Sequence, residues 1–136
     1  MVEINAAYEG TLRCSATHGP SGSNLETDAP VDNHGRGERY SPTDLVATAL
    51  GTCMMTIMGI YAQRHEIDLT GTKVRVEKHM TPAPPRMISR LPIHITVPLP
   101  EDHPHRRAIE KVAVNCPVHL SVHPDIEKPV IFLWEG

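Results

Sequence analysis

The side chains of this sequence best equipped for chemistry are two cysteines, Cys53 and Cys116. A thiolate is a nucleophile and can be oxidised reversibly, but only where its surroundings favour the charge. Cys53 lies in an apolar run, Ala49-Leu50-Gly51-Thr52-Cys53-Met54, with no Arg or Lys between Asp44 and Arg64. Any cation that activates it must come from elsewhere in the fold or from a second subunit. Without one, Cys53 is a small buried hydrophobe. Cys116 precedes Pro117 where an apolar-striped segment breaks. That places it at the N-terminus of a short helix over 117–122, where exposed N–H groups and the helix dipole favour a thiolate. The same Cys-Pro pair serves equally as punctuation between elements. The two cysteines are too far apart to form a Cys-x-x-Cys motif, so any pairing between them is tertiary. Cys14, between Arg13 and Ser15, reads as structural.

Nine histidines raise the question of a metal. Small zinc sites usually show two close ligand pairs. Here only His119 and His123 have that spacing, Pro124 follows at once, and His103 and His105 merely flank Pro104. No metal and no cofactor is expected. A hydrolase-like pair of Cys116 with His119 lacks a recognisable oxyanion element or third group.

The elements that must position these residues are legible from pattern. Residues 3–8 and 11–16 read as two strands around Glu9-Gly10, and 24–28 as a third. Residues 29–40 are a loop whose end, Gly35-Arg36-Gly37-Glu38-Arg39, is flexible and basic. Ser41-Pro42-Thr43-Asp44 starts a helix: Ser41 as N-cap, Pro42 in the first turn, Asp44 as the return side of a capping box. That helix runs to about residue 64, roughly 35 Å at 1.5 Å per residue. Residues 73–77 alternate as a strand, as do 88–97, interrupted where Pro92 removes a ladder donor. Glu101-Asp102 opens a second helix with an apolar stripe of Ala108, Ile109, Val112 and Ala113, and 130–134 is a closing strand. Antiparallel strands with helices on one face make an α+β, two-layer fold of one domain over 1–136.

The uncharged stretch 45–62 has the length of a membrane span, but its Thr and Gly content makes it only mildly apolar, and it reads as a buried core helix. A chain of 136 residues can hardly cover such a helix alone, so a second subunit is expected. The net charge of −3 argues against nucleic acid as a partner. Three cysteines are too few for a disulfide scaffold, and residues 1–5 show no signal-peptide pattern. The expectation is a cytoplasmic protein with no membrane and no nucleic-acid partner.

Ser41-Pro42-Thr43-Asp44-Leu45 followed by Ala49-Leu50-Gly51-Thr52-Cys53 resembles the first signature of the OsmC and organic hydroperoxide resistance protein superfamily. Cys116-Pro117-Val118 resembles the second, and the element order agrees along almost the whole chain. The resemblance implies an intertwined homodimer with active sites at the interface. It implies that Cys53 attacks an organic hydroperoxide, that Cys116 resolves the sulfenic acid as a disulfide, and that a dithiol reductant restores both. In that family a Glu at the helix start pairs with an Arg that holds the reactive thiolate. Here Thr43 stands at the Glu position and Asp44 is the substitute carboxylate; Arg36, Arg39 and Arg13 are the candidates for the cation. The alternative is a non-catalytic dimer of the same fold that holds an apolar ligand at its interface.

Overall fold

The structure is a computed structural model describing every residue, Met1–Gly136. It resolves into two compact units, Met1–Val46 and Ala47–Gly136.

In the first unit β1 (Ile4–Gly10), β2 (Arg13–His18) and β3 (Asn24–Asp28) form an antiparallel sheet in chain order. Thr11 and Leu12 turn the first hairpin, both in the left-handed region at φ 51° and 63°. Two such residues in succession match the twist of an antiparallel pair. Each costs a side-chain-bearing residue roughly 1–2 kcal/mol, and the Tyr8 hydroxyl steadies the turn by accepting from the Leu12 N–H at 3.3 Å.

The buried residues of this unit, Thr27, Asp28 and Ser41, are all polar. Asp28 organises it. Arg13 grips both carboxylate oxygens, each at 2.8 Å, and the Glu38 N–H donates to Oδ2 at 3.1 Å. The Asp28 N–H donates to the Tyr40 carbonyl at 3.2 Å. Asp28 Oδ2 and the Asp28 backbone N–H thereby anchor the 29–40 loop, which contains one turn of 3-10 helix at Val31–Asn33.

The loop delivers the chain to α1 (Pro42–Arg64). The capping box forms as the sequence predicts. The Ser41 N–H donates to Asp44 Oδ2 at 2.9 Å, and the Asp44 N–H donates to Ser41 Oγ at 3.0 Å.

The second unit holds the hydrophobic core. Its sheet comprises β4 (Lys73–Val76), β7 (Ile93–Val97) and β8 (Val130–Trp134) in the order β4-β7-β8. A short hairpin of β5 (His79–Met80) and β6 (Ile88–Arg90) lies apart from it. Two helices follow β7: α2 (Arg106–Ala113) and α3 (Pro117–Ser121). Ile93, Ile95 and Val97 of the central strand are fully buried, as are Leu50, Met54 and Met58 of α1. The helix comes close to the sheet at Gly51, where an added Cβ would lie 2.9 Å from a Val76 methyl.

One sequence reading is met and two are refined. The strand over 88–97 is split at Leu91-Pro92, where Pro92 has no N–H to give and its carbonyl instead accepts from Glu77 at 3.0 Å. The second helix begins at Arg106 rather than at Glu101-Asp102. Turns closed by His103 N–H to the Pro100 carbonyl (3.0 Å) and Arg106 N–H to the His103 carbonyl (3.1 Å) take up the intervening residues. The sheet is mixed, because β8 pairs parallel to β7 with Ile93 opposite Val130 and Val97 opposite Trp134. The helical crossover through α2 and α3 supplies the long connection a parallel pair needs.

The Arg13 guanidinium holds the Asp28 carboxyl down to about 2, below its ordinary value. Since the unfolded carboxyl titrates near about 3.9, this pair stabilises the fold fully above that pH and is lost as pH falls through the folded value. Asp28→Asn is expected to lower the melting temperature at pH 7. The gap to the wild type should narrow only below pH 4, which melts recorded from pH 2 to pH 7 will show.

Candidate functional site

Cys53 sits in the fourth turn of α1, between buried Leu50 and Met54, and is itself half-buried. Cys116 is the N-cap of α3 and fully buried. Its Sγ accepts from the His119 N–H at 3.3 Å, and Pro117 occupies the first helical position. Cys53 lies close enough to act electrostatically on the Cys116 thiol. The structure thus brings together two cysteines from separate helices, with both thiols free. Cys14, also free, belongs to β2 and pairs across the strands with Tyr8 and Thr27.

The electrostatics of Cys116 differ from the sequence expectation. The helix terminus does act, since the His119 and Val118 amides favour the thiolate. Burial acts more strongly and pushes the thiol up, and the neighbouring Cys53 pushes it further in the same direction. A thiol whose place at a helix N-terminus favours ionisation is instead enclosed and held protonated. Of the two, Cys53 is the one open to solvent. Burial also lowers His119, helped by the charge of Lys128, which keeps this imidazole neutral around pH 7.

The candidate cations and Asp44 all lie in the first unit, and each is engaged there. Arg13 is committed to Asp28. Arg36 donates to Thr11 Oγ1 at 2.6 Å and faces Glu38 at 3.9 Å; Arg39 pairs with Glu26 at 3.3 Å. Asp44 closes the capping box.

The His119/His123 spacing does not produce a ligand pair on a helix. α3 ends at Ser121, and His123 Nδ1 accepts from the Asp125 N–H at 3.0 Å. No group of three His, Cys, Asp or Glu side chains is arranged to hold a metal ion. Sequence reasoning missed a different grouping. Tyr61 and His65, one helical turn apart, meet His105, which in turn meets His103, and the Tyr61 hydroxyl lies 2.7 Å from His105 Nδ1. The spacing of His103 and His105 was visible, but nothing local announced that α1 would supply partners for His105.

Residues 35–128 match the model of a family described as OsmC-like protein. A solved structure assigned to osmotic stress induction and detoxification response, from Psychrobacter arcticus 273-4, is 46% identical. It superposes with a TM-score of 0.91, over 97% of this chain and 96% of that one. The organic hydroperoxide resistance protein OsmC of Legionella pneumophila has the same fold at 14% identity, with a TM-score of 0.77 over 98% and 96% of the two chains. So does an organic hydroperoxide resistance protein of Vibrio cholerae O1 biovar eltor, solved with captopril in one active site. That match is 17% identical, with a TM-score of 0.74 over 100% and 92%. Among curated proteins, none is similar in sequence to this chain.

The Cys53 neighbour contributes to holding the Cys116 proton. Cys53→Ser is therefore expected to lower the Cys116 pKa while leaving it above that of a free thiol, because burial remains. Thiolate absorbance at 240 nm against pH measures this, with Cys14→Ser in the background; an unchanged or raised Cys116 titration would contradict the coupling.

Proposed function

The chain belongs to the OsmC-like protein family, and from that premise we propose that it is a thiol-dependent peroxidase that reduces organic hydroperoxides. The observation that carries the reading is that Cys53 is near enough to Cys116 to raise its thiol pKa. Two neighbouring thiols on separate helices have a chemistry that one buried cysteine lacks. The Cys53 thiolate attacks the distal oxygen of ROOH, the O–O bond breaks, and Cys53 becomes a sulfenic acid while the alkoxide leaves as ROH after taking a proton. The Cys116 sulfur then displaces water from the sulfenic acid, and the Cys116 proton leaves with the hydroxide. A dithiol reductant returns both thiols.

The order of roles follows from exposure and charge. Cys53 can be reached, whereas Cys116 is enclosed and holds its proton, so it waits for a sulfenic acid beside it. Apolar neighbours such as Leu50 and Met54 suit alkyl or lipid hydroperoxides better than hydrogen peroxide.

The reading includes a homodimer. α1 presents an exposed stripe of Thr48, Thr52, Thr56 and Ile60. The Thr52 and Thr56 hydroxyls bond back to the carbonyls one turn earlier, each at 2.8 Å, which leaves methyl groups facing outward. The first unit buries no apolar side chain, and Ile4 and Tyr8 of β1 are about two-thirds exposed at 64% and 67%. Such surfaces are ordinarily covered, and a second copy of the chain is the assigned cover. That copy also supplies the cation for Cys53, from Arg36 or Arg39, with Asp44 in the place of the pairing carboxylate. The assembly is read as soluble and cytoplasmic.

Single variants test the assignment. Cys116→Ser should still form a Cys53 sulfenic acid that dimedone traps, while Cys53→Ser should form none and lose turnover altogether. Peroxide consumption by Cys53→Ser with labelling at Cys116 would reverse the roles; no reaction in the wild type would leave an apolar-ligand binder. Sedimentation at micromolar concentration should give about 30 kDa, twice the 15.0 kDa chain, and a stable folded monomer would contradict the dimer.

A further inference from the structure

The cluster around His105 is outside the thiol site and has no part in the chemistry above. Tyr61 and His65 come from the end of α1, with ring centroids 4.2 Å apart. His105, the residue that caps the N-terminus of α2, stands 4.9 Å from the His65 ring and bonds Tyr61. His103 lies 5.9 Å from His105 and stacks on Trp134 of β8 at 6.4 Å. Three imidazoles thus join α1, the start of α2 and the end of β8.

The hydrogen bonding fixes one of these rings as an acceptor. The His105 N–H donates to His103 Nδ1 at 3.1 Å, so that nitrogen carries no proton. His105 occupies the positive end of a helix, where an added cation is unfavourable. Arg106, the next residue, already places a guanidinium 5.8 Å above the Trp134 ring. The carboxylates facing the cluster are taken: Glu110 by Arg106 at 3.0 Å and by Trp134 Nε1 at 3.2 Å, and Glu101 by Arg106 at 3.6 Å. No carboxylate forms an ion pair with His65, His103 or His105, and Arg64, Glu66, Asp102, Arg107 and Glu135, next in sequence to the cluster, form none with it.

We propose that His65, His103 and His105 form an acid-released clamp that holds the N-terminus of α2 against the end of α1. Histidine is the side chain whose charging ordinarily falls between about pH 5 and pH 8. Charging two or three rings at roughly 5–6 Å from one another, beside Arg106, replaces packing with repulsion. The His103 bond to the α2 cap is lost at the same step. The segment released is the one that carries Cys116: α2 ends at Ala113, whose carbonyl accepts from the Cys116 N–H at 3.4 Å. Its meaning for the thiol pair, that acid frees Cys116 from its fixed place beside Cys53, rests on the peroxidase reading. The opening itself does not.

Hydrogen exchange on the intact protein, corrected for the pH dependence of chemical exchange, tests the clamp without any thiol chemistry. Protection of the amides of α2 should fall about tenfold or more between pH 7.5 and pH 5, while those of β4 and β7 stay protected. Emission of Trp134, the single tryptophan, should follow the same midpoint. In His65→Gln/His103→Gln the pH dependence should largely vanish. Equal protection of wild-type α2 at the two pH values overturns the proposal, whether or not the double variant folds. So does a transition that persists unchanged in that variant.

Discussion

A helix of 23 residues with no charge between Asp44 and Arg64 must be covered on most of its circumference, and much else in this molecule answers to that requirement. One side is met inside the chain. Leu50, Met54 and Met58 have no exposure, and Gly51 lets the Val74 and Val76 side chains of β4 approach where any larger residue would collide. The opposite stripe of threonines has its hydroxyls turned back onto the helix and lacks charge. α1 has the length and composition of a membrane span, with 33% of its most apolar window buried within the chain. In the proposed homodimer a second copy of the chain would cover the remainder.

Cys53 lies on this helix between its buried and open faces, with no Arg or Lys on α1 between Asp44 and Arg64. Cys116 shows the opposite balance. Two backbone amides at the start of α3 favour its charge, yet full enclosure and a neighbouring thiol outweigh them. A helix terminus contributes typically 0.3–1 kcal/mol at exposed sites, whereas burial shifts a fully enclosed group by up to several pKa units. The larger effect wins, which turns a nominal nucleophile into a group suited to acting second.

The sequence revealed the elements better than their environments. The bounds of α1, β3 and β8 were readable because each has a local signal: a capping box, a polar-to-turn boundary, a closing β-branched run. The α+β class followed from their order. The parallel pairing of β8 was not readable, since strand direction depends on where the crossover through α2 and α3 lands. Nor was the start of α2, where Glu101-Asp102 looks like a helix opening but Pro100 and His103 close turns first. The approach of Cys53 and Cys116 was expected only through family resemblance. Their burial, and the meeting of Tyr61 and His65 with His105, depend on packing between distant segments. The buried Arg13–Asp28 pair escaped for the same reason: the sequence offers Arg13 as a candidate cation for the thiolate, and nothing local ties it to Asp28.

The central claim is that Cys53 and Cys116 form one redox unit. Addition of one equivalent of cumene hydroperoxide to the fully reduced protein, followed by thiol titration and peptide mapping, tests it most directly. The account predicts loss of two of the three thiols per chain and a single disulfide joining the Cys53 and Cys116 peptides, with Cys14 unchanged. Retention of all three thiols, or a disulfide involving Cys14, would contradict it.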